Sequence, residues 1–213
     1  MRAGRVLAAL LAVATAGEGR DSSGMPRRAG IDLLKLVDPK ADRVAGEWAF
    51  DGKTLVSPAL PFGRITVPYV PPEEYDLRIV AERTGAGNSL SVGLVGGGRQ
   101  FLAILDGMVP DAKSGLDLID GQPFYGNATT HAGQLLANGR QSTILISVRR
   151  KRVQVSVDGR GIVDWKADFA RVSLWPSWTM PRKDTLFLGA WTSPQRVHRL
   201  ELIPVTGEGK PLR

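Results

Sequence analysis

The sequence predicts an all-β chain folded as an antiparallel two-sheet jelly-roll sandwich. Three observations carry that expectation. First, apolar residues recur at every second position over long stretches. Tyr75, Leu77, Ile79 and Ala81 alternate with Asp76, Arg78 and Glu82. Val153, Val155 and Val157 alternate with Arg152, Gln154 and Ser156. A strand turns successive side chains to opposite faces, so this period marks strands with one face in the core. Second, Asp51-Gly52, Asp106-Gly107, Asp120-Gly121, Asn138-Gly139 and Asp158-Gly159 lie between or beside these runs. Such pairs supply the positive φ of tight turns. Third, helical periodicity is sparse after residue 40, and the spacing leaves no room for βαβ crossovers.

The elements follow in order. Residues 1–16, MRAGRVLAALLAVATA, have the form of a secretory signal peptide. Arg2 and Arg5 give the positive start, Val6 to Val13 the apolar run, and Ala14-Thr15-Ala16 the small-residue cleavage site. The run is too short to span a bilayer. The alternatives are an uncleaved anchor or a later start at Met25. Residues 17–30 are polar and glycine-containing, as in a flexible linker. The sandwich is expected over 31–213. Residues 31–37 suit one or two helical turns, with Asp32 as cap and Asp38-Pro39 as the stop. Besides the alternating runs at 75–82, 90–94, 144–148 and 153–157, strands are expected near 47–50, 54–57, 64–67, 100–105, 161–165, 186–191 and 197–205.

Composition agrees with an all-β domain. The 213 residues include 25 Gly and 14 Pro, which suits many turns. Cysteine is absent, which excludes disulfides, thiolate metal sites, a cysteine nucleophile and a cysteine-linked lipid anchor. The net charge is +7. The densest basic run, Arg149-Arg150-Lys151-Arg152, has no aromatic residue within it and sits between two alternating strands. It reads as a solvated hairpin turn, and no nucleic-acid partner is expected. No second apolar stretch approaches membrane-spanning length. The expected location is secreted, periplasmic or in the cell envelope.

Several segments resemble the concanavalin A-like lectin and glucanase superfamily. GEWAFDGKTLVSP resembles the opening strand and hairpin of such domains, and VPPEEYDLRIVAER their long strand. VQVSVDGRGIVDW resembles a hairpin common in laminin-G-like domains, and LFLGAW with VHRLELIPV the closing strands. The resemblance spans roughly 31–205. Keto-disaccharide hydrolase-like and lectin-like domains of planctomycete-type bacteria share this layout. The resemblance implies a fold, while activity has to be argued from a site.

The chemistry-bearing residues are few. Glycosidases of the superfamily carry closely spaced acids on one strand, so that one activates or attacks while another protonates the leaving oxygen. Here Glu73-Glu74 are adjacent and Asp117 and Asp120 are three apart, which on a strand turns each pair to opposite faces. These read as turn and rim carboxylates. His131 and His198 lack a metal-ligand partner at helical spacing, and no G-x-S-x-G elbow is present. Gly96-Gly97-Gly98 lacks the Lys-Ser/Thr of a phosphate loop. No catalytic residue, metal site or cofactor is implied.

One segment suits a ligand. Trp175-Pro176-Ser177-Trp178 is a proline-broken loop with two indoles. Sugars stack their C–H faces on indole rings while hydroxyls bond to polar groups. Either Trp175 or Trp178 supplies such a floor, or both cover an open edge of the core. Trp48, Trp165 and Trp191 fall in strand patterns and are expected in the core. Asn127, in an Asn-Ala-Thr sequon, and Asp120 are the loop polar groups placed to reach a ligand. The expected function is a non-catalytic carbohydrate-binding or envelope interaction module with a polysaccharide or glycan partner. A saccharide hydrolase or lyase and a structural protein-interaction domain are the alternatives.

Overall fold

The computed structural model describes residues 29–213. The leader pattern at 1–16 and most of the linker lie outside the described residues. Among the described residues, seventeen strands, numbered in chain order, form two large sheets and one small one. The eight-stranded sheet runs β14 (Arg160–Lys166), β13 (Arg152–Val157), β12 (Gln141–Arg149), β7 (Glu74–Arg83), β16 (Gln195–Thr206), β4 (Thr54–Val56) and β3 (Ala49–Asp51), with β1 (Ile31–Asp32) also on β16. The seven-stranded sheet runs β11 (His131–Ala132), β10 (Lys113–Leu116), β9 (Arg99–Gly107), β8 (Leu90–Gly96), β15 (Leu186–Ala190), β5 (Gly63–Val67) and β2 (Arg43–Ala45). β6 (Tyr69–Val70) pairs with β17 (Lys210–Pro211). Each pairing within the two large sheets is antiparallel. This is the jelly-roll sandwich that the alternation predicts.

The core forms where the period-two faces meet. Leu77 stands opposite Ile146, and Ile146 opposite Val155, so three neighbouring strands present one apolar row. Val153, Val155 and Val157 all face inward and are buried. Across the sandwich they join Leu90, Val92 and Leu94 and the odd-numbered residues Phe101, Ala103 and Leu105 in one cluster. Tyr75 ties the sheets together. Its buried hydroxyl donates to the Val95 carbonyl at 3.0 Å and accepts from the Val95 amide at 3.1 Å. Burial raises the pKa of this phenol well above its usual value.

The turns follow their residues. Asp158 (φ 49°) and Gly159 (φ 81°) make the two-residue link between β13 and β14, where both central residues need positive φ. Arg150 and Lys151 form the turn between β12 and β13, as the basic run predicts. Residues 31–37 form less helix than their pattern allows. Leu33–Leu36 is a single 3-10 turn capped by Asp32, which accepts from the Leu34 amide.

One expected turn is not a turn. Asp106 lies inside β9 and is fully buried. Its carboxylate accepts from the amides of Leu135 and Leu136 at 2.8 and 2.7 Å and lies 3.7 Å from Arg83, itself buried. Arg83 also donates to the Leu136 carbonyl at 2.7 Å. The pair therefore fastens the 133–140 segment, which has little regular structure, to the ends of β7 and β9. β10 is a strand the alternation did not reveal, because Lys113-Ser114-Gly115-Leu116 has no apolar period.

Candidate functional site: an aromatic cleft on the seven-stranded sheet

In the middle of β9 both faces are apolar and differ in partner. Phe101, Ala103 and Leu105 point into the sandwich, while Leu102 and Ile104 point outward into a second apolar cluster with Phe124, Trp178, Met180 and Phe187. Loops cover this outer face. Two glycines set how closely the rings approach. A Cβ on Gly93 would lie 1.9 Å from the Phe187 ring, and one on Gly189 would lie 2.6 Å from the Trp178 indole. The rings therefore rest directly on bare backbone.

A cleft of about 310 Å³ opens at one end of this cover. Its floor includes Ile104 and the buried Trp178. Phe62, Trp191, Phe124, Tyr125, Met108 and Trp175 contribute aromatic and apolar walls. Phe62 meets Trp178 and Trp191 edge-on at centroid distances of 5.2 and 4.4 Å, and Phe124 meets Tyr125 at 5.2 Å. Such edge-to-face pairs hold rings in fixed orientations. Asn88, Ser89, Asp117 and Ser177 supply polar side chains. The Asn88 side-chain oxygen accepts from the Val109 amide at 2.6 Å, and its side-chain nitrogen has no partner among the described residues.

The two indoles of the proline-broken segment take different places. Trp178 is 3% exposed and stacks over Phe187 at 6.5 Å. Trp175, 46% exposed, stands before the 3-10 turn Pro176–Trp178, and its carbonyl accepts from the Trp178 amide at 2.8 Å. Both line the cleft. Trp48 and Trp165 are buried in the main core. Trp191 differs from its expected core position. It follows the end of β15, is partly exposed and forms part of the cleft wall.

Asp120 and Asn127 do not line the cleft. Each is held by protein groups in the loops that build it. Asp120 pairs with Arg171 through two side-chain nitrogens, and this hydrogen-bonded partner lowers its pKa. The contact links the 117–122 loop to the segment leading into Trp175. Asn127 donates to the carbonyls of Leu116 and Gln122 at 2.8 and 3.1 Å. Its oxygen accepts from the Thr129 amide and hydroxyl at 2.9 and 2.7 Å. That set of bonds shapes the loop carrying Phe124 and Tyr125.

Asp117 is the polar group that sequence reasoning undervalued. It is not a rim residue: it is 1% exposed and lines the cleft. Its carboxyl accepts from the Phe124 amide at 3.0 Å and from the Leu118 backbone. Burial outweighs these bonds and raises its pKa. The signal was its place beside apolar Leu116, Leu118 and Ile119 rather than in a polar turn.

A second constellation lies on the eight-stranded sheet. His198 is 3.2 Å from Thr54 through Nδ1 and 3.2 Å from Glu82 through Nε2. The order hydroxyl, imidazole, carboxylate is that of a nucleophile relay. Here it joins outward side chains of the three adjacent strands β4, β16 and β7, where cross-strand polar contacts are ordinary. Among the described residues, no group of three or more His, Asp or Glu side chains could hold a metal ion.

No family model matches the chain, and no curated protein matches it in sequence. Solved structures do match. A carbohydrate binding module of Bacillus subtilis, CBM66, aligns over 76% of this chain and 93% of its own with a TM-score of 0.52 and 9% identity. The exoplasmic/lumenal domain of VIP36, in a form bound to Ca2+ and Man3GlcNAc, aligns over 83% of this chain and 90% of its own with a TM-score of 0.52 and 10% identity. A structure described with endo-acting O-glycanases of the human gut microbiota aligns over 82% and 87% with a TM-score of 0.50 and 12% identity. At such identities the likeness is one of fold. The chain has the concanavalin A-like jelly-roll fold.

Proposed function

We propose that this protein is an exported carbohydrate-binding module that holds a glycan in the aromatic cleft. The observation that carries the reading is Trp175, a half-exposed indole beside a preformed cleft whose floor and opposite walls are already fixed by packing. Such a ring offers an apolar face to a pyranose without having to be exposed first. Asn88 and Asp117 offer a donor and an acceptor for hydroxyls. The carbohydrate binding module and the Man3GlcNAc-bound exoplasmic/lumenal domain of the same fold support this choice of ligand class. The leader pattern at 1–16 supports export, and no helix among the described residues is long and apolar enough to cross a membrane. Binding is favoured over hydrolysis because the cleft lining holds one carboxyl, where the two-carboxylate mechanism needs a pair.

A glycan array probed with the purified chain tests the reading. At least one class of oligosaccharide should be retained, and Trp175→Ala should weaken its binding by about 1–3 kcal/mol, the scale for losing an aromatic contact. Retention of no glycan, or unchanged affinity in the variant, overturns it.

A further inference from the structure

We infer that the cleft selects saccharides carrying a free ammonium group, amino sugars without an acetyl cap, and that Asp117 receives that group. The inference rests on the carbohydrate reading above and names its ligand class.

Charge comes first. The whole chain carries a net charge of +7, yet among the described residues no Lys, Arg or His lines the cleft. Asp117 is its one charged side chain. Asp120, three residues on, is paired with Arg171, and the buried Asp106 lies near Arg83. Asp117 has no ion-pair partner among the described residues, and its protein contacts are backbone amides. A buried carboxylate without a cation is costly, and folded proteins usually supply one. Asp117 is among the residues that line the cleft, so a ligand ammonium is the group that would complete it.

The rings favour the same ligand. Phe62, Phe124, Tyr125, Trp175, Trp178 and Trp191 surround the space. Aromatic faces carry negative electrostatic potential and attract a desolvated cation. A uronate or sulfated sugar would meet both the carboxylate and the ring faces with the wrong sign. A neutral sugar would stack but would leave Asp117 without a cation. Burial raises the pKa of Asp117, and a nearby ammonium would act in the opposite direction by stabilising the charged carboxylate. The volume of about 310 Å³ lies at the small end of ligand sites, so the selected group belongs to one or two sugar rings rather than a long chain.

The test compares three β-1,4-linked tetrasaccharides by titration calorimetry with the full chain, below the pKa of the sugar amine. They are built from glucosamine, from N-acetylglucosamine and from glucose. The glucosamine form should bind at least about tenfold tighter than the other two, a modest gain for a partly desolvated cation among aromatic rings. In Asp117→Asn that preference should fall to less than about twofold, while the Phe124 amide keeps an oxygen acceptor and the melting temperature holds. Equal or weaker binding of the glucosamine form by the unaltered chain overturns the inference without any variant. So does a preference that survives in a folded Asp117→Asn protein. If glucosamine fails while the array retains another glycan through Trp175, the ammonium inference falls and the carbohydrate reading stands. If the array and all three oligosaccharides fail, both fall.

Discussion

The outward faces of the two large sheets solve the same problem in opposite ways. On the eight-stranded sheet, β7 alternates buried and partly exposed residues along its length, and the outward positions are mostly charged. Arg149 pairs with Asp76, Arg78 with Glu201 and Arg152 with Asp164 across neighbouring strands. Water and these ion pairs cover that face. On the seven-stranded sheet, every residue of β15 and nearly every residue of β8 and β9 is buried. Leu102, Ile104 and Phe187 face outward there and are covered by loops carrying Phe124, Trp178 and Met180. A charged face needs no cover. An apolar outer face needs a lid, and where that lid ends the rings form a cleft.

The comparison is broken most directly at one apolar residue on each outer face. Phe187 is fully buried, whereas Leu145 in β12 is 37% exposed. Phe187→Ala should cost about 3–5 kcal/mol, from lost burial and the cavity left under Trp178. Leu145→Ala should stay within about 0.5 kcal/mol of the parent. Urea unfolding of the two variants measures both. Similar losses would mean that the two faces are covered alike.

A smaller effect sharpens the role of close approach. Gly189→Ala would place a methyl 2.6 Å from the Trp178 indole and 3.1 Å from the Ser91 side chain. The indole must lift off the sheet, at a cost of about 1–3 kcal/mol for overpacking. Because Trp178 is the cleft floor, glycan affinity should fall with stability. A change in melting temperature with unchanged affinity would show that the floor position of Trp178 does not matter to the ligand.

The same contrast explains what was legible in the sequence. Where one face meets water, polarity alternates, so β7, β12 and β13 and their inward valines could be read directly. Where both faces are apolar, Leu186-Phe187-Leu188-Gly189-Ala190 announces a buried strand and does not say which residue meets which layer. The lid is built from loops distant in sequence, joined by contacts such as Ser173 to Leu118 and Ile119 to Val172. No local period encodes those contacts. The Trp175–Trp178 segment stood out through its proline and indoles. The positions of Asp120 and Asn127 outside the lining, the burial of Asp117 and the place of Trp191 in the wall depended on how the loops pack. Asp106-Gly107 looked like a turn because the dipeptide rule is local, while the amides and guanidinium that hold Asp106 inside lie at positions 135, 136 and 83.

An effect on stability as small as that at Leu145 is expected at Trp175. It sits three residues from Trp178, in the same proline-broken segment, and belongs to neither apolar cluster. The backbone bond that shapes this turn runs from the Trp178 amide to the Trp175 carbonyl, which any residue at 175 provides. Truncation to Ala removes a ring that is already half in water, so no enclosed cavity forms. Trp175→Ala should therefore leave thermal unfolding within about 0.5 kcal/mol of the parent. Trp178→Ala, made alongside it, removes a buried ring from the second cluster and should cost about 3–5 kcal/mol. The pair separates ligand wall from lid within one short loop. A large loss of stability in Trp175→Ala would place that indole in the lid, and the carbohydrate reading would then lose the observation that carries it.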